Sequence, residues 1–184
     1  MTDVRNYVAA ETLRDGTSVT IRAIRPTDGS SILDVFETVD RESIYTRFFA
    51  YKKGLTDAEL RQTTEVDFDH VVALVVTTPA EDGEKLIGGG RYFADVAPNS
   101  SHSAEVAFMT DDHYRGLGVA SLILRHLVRI GREQGLMRFE ADVLAQNQAM
   151  LAVFRRSGLL MKQRSEGNIV HVTLSLDADP GPTP

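Results

Sequence analysis

Apolar and polar residues alternate over "YVAAETL" and again over "SVTIRAI", on either side of "RDGT". A two-residue period puts successive side chains on opposite faces of a sheet, and Asp15-Gly16 can supply the positive φ of a tight turn, so the opening predicts a β-hairpin. The period then lengthens. In "RPTDGSSILDVFETV" the apolar residues Ile32, Leu33, Val35, Phe36 and Val39 recur at helical spacing behind Pro26, with Thr27 or Asp28 as the capping residue. A second helix is expected from Thr56, which with Glu59 has the spacing of a capping box. The intervening "RESIYTRFFAYKKG" reads as short and irregular. "HVVALVVTT" and "KLIGGGRYFAD" predict neighbouring strands joined through "PAEDGE", and glycines 88 to 90 predict a bulge or a close backbone approach.

The second half is more regular. After the loop "VAPNSSHS" the pattern predicts a strand over "AEVAFMT", then a helix from about Gly118 to Gln134 that Gly135 terminates in the left-handed conformation. "MRFEADVL" reads as a strand and "NQAMLAVFRRS" as a helix closed by Gly158, and "LLMKQ" and "NIVHVTLSL" read as strands flanking "RSEG". Seven or eight strands and four helices in mixed order predict an α+β fold with helices on both faces of one sheet. Residues 1–176 are expected to form a single domain, and the tail "DADPGPTP", 177–184, is too polar and proline-rich to fold.

Composition narrows the chemistry. At 184 residues, 42% hydrophobic and 25% charged, the chain suits one globular domain with a full core. It has no cysteine, which excludes a disulfide framework, a thiolate metal site and a cysteine nucleophile, and is compatible with a reducing cytoplasm. The N-terminus lacks a basic region followed by an apolar run, and no stretch approaches the roughly twenty apolar residues that cross a bilayer. A cytoplasmic protein with no membrane partner is expected. A formal charge of -6 argues against nucleic-acid binding and suits a basic partner.

The most informative run is "HYRGLGVASLILRHL", where a strand gives way to an amphipathic helix. The first turn of a helix offers unpartnered N–H groups and the positive end of the helix dipole, a cradle for phosphate. Gly116, Gly118 and Ala120 keep that turn bare, and Arg115 adds a charged donor. Two readings of "GLG" stand side by side, turn geometry and phosphate binding. The Walker pattern lacks its Lys and Ser/Thr here, and the dinucleotide fingerprint lacks its third glycine and acidic residue.

Arg115, Gly118 and Ala120 match Arg/Gln-x-x-Gly-x-Gly/Ala, and Asn147 to Gly158 reads N-x-x-M-x-x-x-F-x-x-x-G. Together these resemble the acyl-CoA motifs of the GNAT acetyltransferase superfamily. The resemblance implies a GNAT fold, a mixed, mostly antiparallel sheet of about seven strands flanked by about four helices, with acetyl-CoA as co-substrate and no metal. It assigns the cofactor to Phe108, Met109, Arg115, Gly116, Leu117, Gly118, Val119, Ala120, Asn147 and Phe154. Loop amides would hold the pyrophosphate. The pantetheine arm would lie between two splayed strands and pair with Val106 to Met109, with a hydrogen bond from Asn147.

"ESIYTRFF", "LTDAELRQTTEVDFDHVVALV", "GGGRY" and "AEVAFMTDDHYRGLG" resemble, more closely, the catalytic domain of Pat-type bacterial protein lysine acetyltransferases. Those enzymes often carry an extra module, for which 184 residues leave no room, so regulation through one is not carried over. The resemblance implies a protein lysine acceptor, in particular the active-site lysine of an AMP-forming acyl-CoA synthetase.

Acetyl transfer needs a neutral amine, and a lysine ammonium has a reference pKa near about 10.4, so a base must take its proton. Glu105 lies in the otherwise apolar "SAEVAFMT", where burial would make a carboxylate a stronger base; the same residue could instead reach solvent at a strand end. The Pat-type resemblance assigns the catalytic glutamate to this position. Where many GNAT enzymes have a tyrosine that protonates the leaving thiolate, this chain has Phe154, which cannot donate a proton. Histidines 70, 102, 113, 126 and 171 lack metal-ligand spacing, with His113 alone placed to reach the nucleotide end of CoA. Arg125, Arg129 and Arg132 form a helix stripe of the solvated kind, and Asp67 and Asp69 read as loop-fixing. Two rivals accompany the protein acetyltransferase: a small-molecule amine acetyltransferase, and a non-catalytic acyl-CoA-binding regulator.

Overall fold

The computed structural model describes residues 2–39, 54–95 and 102–177. In chain order the elements are β1 (Val8–Thr12), β2 (Ser18–Ala23), α1 (Gly29–Thr38), α2 (Asp57–Thr64), β3 (Val71–Ala80), β4 (Gly83–Ala94), β5 (Ser103–Thr110), α3 (Val119–Glu133), β6 (Arg138–Leu144), α4 (Gln148–Arg155), β7 (Leu160–Glu166) and β8 (Ile169–Ser175). The strands form one sheet in the order β1-β2-β3-β4-β5-β6-β8-β7. Every neighbouring pair is antiparallel except β5 and β6, which are joined by the α3 crossover. The expected α+β architecture is present, with eight strands among the described residues.

Helices on both faces explain the apolar runs. Val72, Leu74 and Val76 of β3 face the larger core beneath α3 and α4, while Ala73 and Val75 face a second core beneath α1 and α2. A strand buried on both sides has no polar face, hence "HVVALVV". In β8 the pattern returns to alternation. Val170, Val172 and Leu174 are buried, and His171 and Thr173 between them are half-buried.

Several local signals act as expected. Gly16 has φ +90 in the β1–β2 turn. The Thr56 hydroxyl accepts from Glu59 N at 3.3 Å while the Glu59 carboxylate accepts from Thr56 N at 2.9 Å, closing the capping box. Two expectations need correction. Asp28 stands at the N-cap of α1, at the end of a 3-10 turn, but its side chain makes no capping bond there; its carboxylate is taken by Arg25 N at 2.7 Å and by the buried Arg22 guanidinium at 2.7 and 2.9 Å. The last hairpin turns at Gly167-Asn168, so Arg164 to Glu166 belong to β7; Gly167, with φ +60, supplies the left-handed residue of that two-residue turn.

The three glycines of β4 set the height of α3 above the sheet. A Cβ at Gly88 would lie 2.8 Å from Val119 Cγ1 and one at Gly90 2.5 Å from Ile123 Cγ2, so α3 rests on backbone. Gly89 points to the other face. The expected bulge lies next to them, where Val76 pairs with Gly88 and Thr77 with Leu86, leaving Ile87 unopposed.

Candidate active site

The sheet comes apart in the middle. β5 pairs with β4 from Ala104 to Thr110, but with β6 only over Ser103, Ala104 and Glu105. Beyond Glu105 the two parallel strands diverge, so the β6-facing backbone of residues 106–110 has no strand partner. Backbone donors and acceptors need partners, and this edge offers a row of them to an extended ligand. The divergence opens a cleft of about 290 Å³.

The far end of the cleft is the glycine loop. Buried Asp111 anchors it, accepting from His113 N at 2.9 Å and contacting His113 Nδ1 at 2.8 Å and Lys85 Nζ at 3.5 Å. Desolvation acts to raise the Asp111 carboxyl, but these bonds and cations outweigh it and hold it below the usual range. Gly116 and Gly118 then take φ +75 and +95. The first helical bond runs from Leu122 N to Gly118 O at 2.9 Å, which leaves the amides of Val119, Ala120 and Ser121 without partners in the helix, beside the cleft.

Of the residues the sequence singled out, Glu105, Phe108, Met109, Arg115, Gly116, Gly118, Val119, Ala120, Asn147 and Phe154 all line this one cleft. Leu117 does not; its side chain packs on the larger core. Arg115 Nε pairs with Asp112 at 2.8 Å. Asn147 Oδ1 accepts from Met150 N at 3.1 Å as the cap of α4, so its amide nitrogen is the part left for a ligand. Phe154 is 1% exposed and meets Phe108 edge-on at 6.0 Å, forming an apolar wall. Gly118 takes the left-handed φ of +95 that the turn reading expects, and it has a second neighbour that the sequence did not suggest. A Cβ there would lie 3.3 Å from Arg14 Nε, so the Arg14 side chain packs close beside it.

Glu105 is exposed, and the burial expected from its apolar strand is absent. Alternation turns Val106 into the core beneath α3 and Glu105 to the opposite face, beside Glu140 in the β5–β6 register. Arg91 is opposite Ala107 on that face, its guanidinium 4.6 Å from the Phe93 ring centroid and its buried Nε without a hydrogen-bond partner. Burial lowers the Arg91 pKa, and the Glu105 carboxylate opposes the shift.

Sequence reasoning missed Arg14, Tyr114, Ser121, Asp142 and Arg156, which also line the cleft. Asp142 contacts His171 Nδ1 at 2.5 Å. No local motif could have found Arg14 or Asp142, because the sheet order brings them in. Asp67 and the three arginines of the long helix have structural partners. Asp67 Oδ1 accepts from the amides of Asp69, His70 and Val71 at 2.9–3.0 Å, and Arg125 pairs with Glu11 at 2.8 Å, Arg129 with Glu133 at 3.5 Å. Arg132 donates to Leu176 O at 2.8 Å. No group of potential metal ligands occurs among the described residues. The segment "ESIYTRFF" lies outside them, as does the tail from 178 onward.

A family model for the acetyltransferase (GNAT) family matches residues 39–159. The chain belongs to this family. As a GNAT acetyltransferase it is 30% identical over 141 residues to the acetyltransferase PA5475 of Pseudomonas aeruginosa, covering 76% of this chain and 74% of that protein. It is also 30% identical over 159 residues to the acetyltransferase Pat of Mycolicibacterium smegmatis, covering 86% of this chain but spanning only 46% of that relative. Among solved structures, the GNAT domain of S. lividans PAT superposes with a TM-score of 0.81 at 34% identity, over 91% of this chain and 96% of that one. The GNAT fold expected from the motifs, and the likeness to Pat-type catalytic domains, are thus shown.

Proposed function

We propose that this GNAT acetyltransferase moves the acetyl group of acetyl-CoA directly to a lysine side chain of a protein, with Glu105 as the general base. The observation that carries the reading is the parting of β5 from β6 at Glu105, which opens a cleft with an unpaired strand edge along one side and a bare helix N-terminus at its end. An extended amide-bearing arm suits the strand edge, and a diphosphate suits the amides of residues 119–121. Acetyl-CoA supplies the thioester carbonyl.

Glu105 sits where the strands begin to part and takes the proton that the acceptor ammonium must lose as its nitrogen bonds to the carbonyl carbon. The C–S bond breaks, and the departing thiolate takes a proton from water or from the newly bonded nitrogen, which must still lose its second proton to become an amide, since Phe154 offers none. Phe108 and Phe154 keep water from the apolar wall of the cleft. The exposure of Glu105 supports a large acceptor, because a lysine on a folded partner can reach it from outside. Similarity to Pat points to the active-site lysine of an AMP-forming acyl-CoA synthetase.

The test is a panel of acceptors incubated with labelled acetyl-CoA: an acyl-CoA synthetase, its lysine-to-alanine variant, polyamines, aminoglycosides and free amino acids. Label on the intact synthetase and none on its variant is the expected result. Label on a small amine alone would replace the protein acceptor, and acetyl-CoA bound without transfer to any acceptor would indicate a regulator.

A further inference from the structure

Arg14 lies in the β1–β2 turn, about a hundred residues before the glycine loop, yet it is built into that loop. Its backbone N donates to Leu117 O at 3.1 Å and its Nη1 to Gly116 O at 3.3 Å. Its side chain lies directly against the position that a Cβ at Gly118 would take, with Nε at 3.3 Å and Cγ at 3.5 Å from it. The residue is exposed and lines the cleft beside the free amides of Val119, Ala120 and Ser121. Only one of its five N–H groups is used by Gly116. A guanidinium so placed adds charge-assisted donors to an anion already favoured by the helix terminus.

We infer that Arg14 is a cofactor-binding residue, a cationic arm that closes over the diphosphate from the N-terminal hairpin. This rests on the acetyl-CoA reading above. The diphosphate, and not the 3′-phosphate, is the expected partner because Arg14 is fastened to Gly116 and Leu117 of the loop, next to the amides that suit a bridging diphosphate. Gly118, left-handed at φ +95, keeps the loop bare where this arm packs against it. The arrangement ties cofactor affinity to a hairpin outside the glycine-loop and Asn147 motifs.

The experiment compares the parent, Arg14→Ala and Arg14→Lys by calorimetry and steady-state kinetics with three thioesters: acetyl-CoA, its 3′-dephospho form and S-acetylpantetheine, which has no phosphate. Arg14→Ala is expected to weaken the first two alike, by about 10- to 100-fold, the size of a lost charge-assisted bond, and to leave S-acetylpantetheine unchanged. Arg14→Lys recovers part of the loss. Equal loss with all three would make Arg14 a structural prop, loss with acetyl-CoA alone would move it to the 3′-phosphate, and no loss would remove it from the site; each outcome overturns the inference. If the parent itself binds no acetyl-CoA, the cofactor reading fails instead, which the parent's own titration reports separately.

Discussion

Glu105 and Gly118 show how much one position depends on what the fold places beside it. For Glu105, the general base proposed above, replacement by Gln would remove the proton acceptor while keeping shape, so turnover at pH 7 should fall about 100- to 10,000-fold with acetyl-CoA affinity unchanged. The deficit should shrink as pH rises, because more of the acceptor amine is then already neutral. A pH–rate series on both proteins checks this, and full activity of Glu105→Gln at pH 7 would shift attention to Asp142 and His171, which share the cleft side of β6 and its neighbour. For Gly118, a valine must adopt φ +95 and displace the Arg14 side chain. Gly118→Val should therefore abolish measurable acetyl-CoA binding in calorimetry, even where circular dichroism shows the helices retained.

At the scale of elements, α3 is a long crossover helix whose first turn must sit at one height above the sheet. Gly88 and Gly90 set that height by letting Val119 and Ile123 touch the β4 backbone. The far side of α3 is tied to the N-terminal segment, where buried His126 contacts Tyr7 at 2.5 Å and Glu11 at 2.9 Å. Adding one methyl at Gly90 would place a carbon 2.5 Å from Ile123 Cγ2 and 3.0 Å from Phe108 Cδ1, in a region with no slack. Gly90→Ala should cost about 1–3 kcal/mol in urea unfolding and also weaken acetyl-CoA binding, since lifting α3 carries the loop amides with it. Adding Ile123→Ala should return part of the binding; a double variant no better than Gly90→Ala would show that the loop is positioned by Asp111 alone.

For the whole molecule, the two halves of the sheet differ. Helices cover both faces from β2 to β4, whereas the face carrying Glu105, Glu140 and Asp142 is the more open one. With a formal charge of -6, the molecule should attract a basic acceptor surface. An intact synthetase should then be acetylated far faster than a peptide of its lysine loop, and its kcat/KM should fall as salt is raised toward 0.5 M, where the Debye length is only about 4 Å. Equal rates on peptide and protein, or no response to salt, would mean that recognition stops at the lysine side chain.

The sequence by itself determined the elements, the α+β class and much of the lining of one cleft, because periodicity, a capping box and glycine at positive φ are local, and the motifs of the GNAT family fall within two strand–helix stretches. Gly16, Thr56, Gly118 and Asn147 all act where their neighbours in sequence said they would. What only the tertiary structure decided depends on sheet order. The exposure of Glu105 follows from which face the helices leave uncovered, and the parting of β5 from β6 from a register that stops after three residues. Arg14 reaches Gly116, 102 positions away, because β1 and β2 fold beside the start of α3. A local pattern cannot encode a contact between a turn and a loop that lie about a hundred residues apart, and at this site such contacts choose which charged groups surround the cleft.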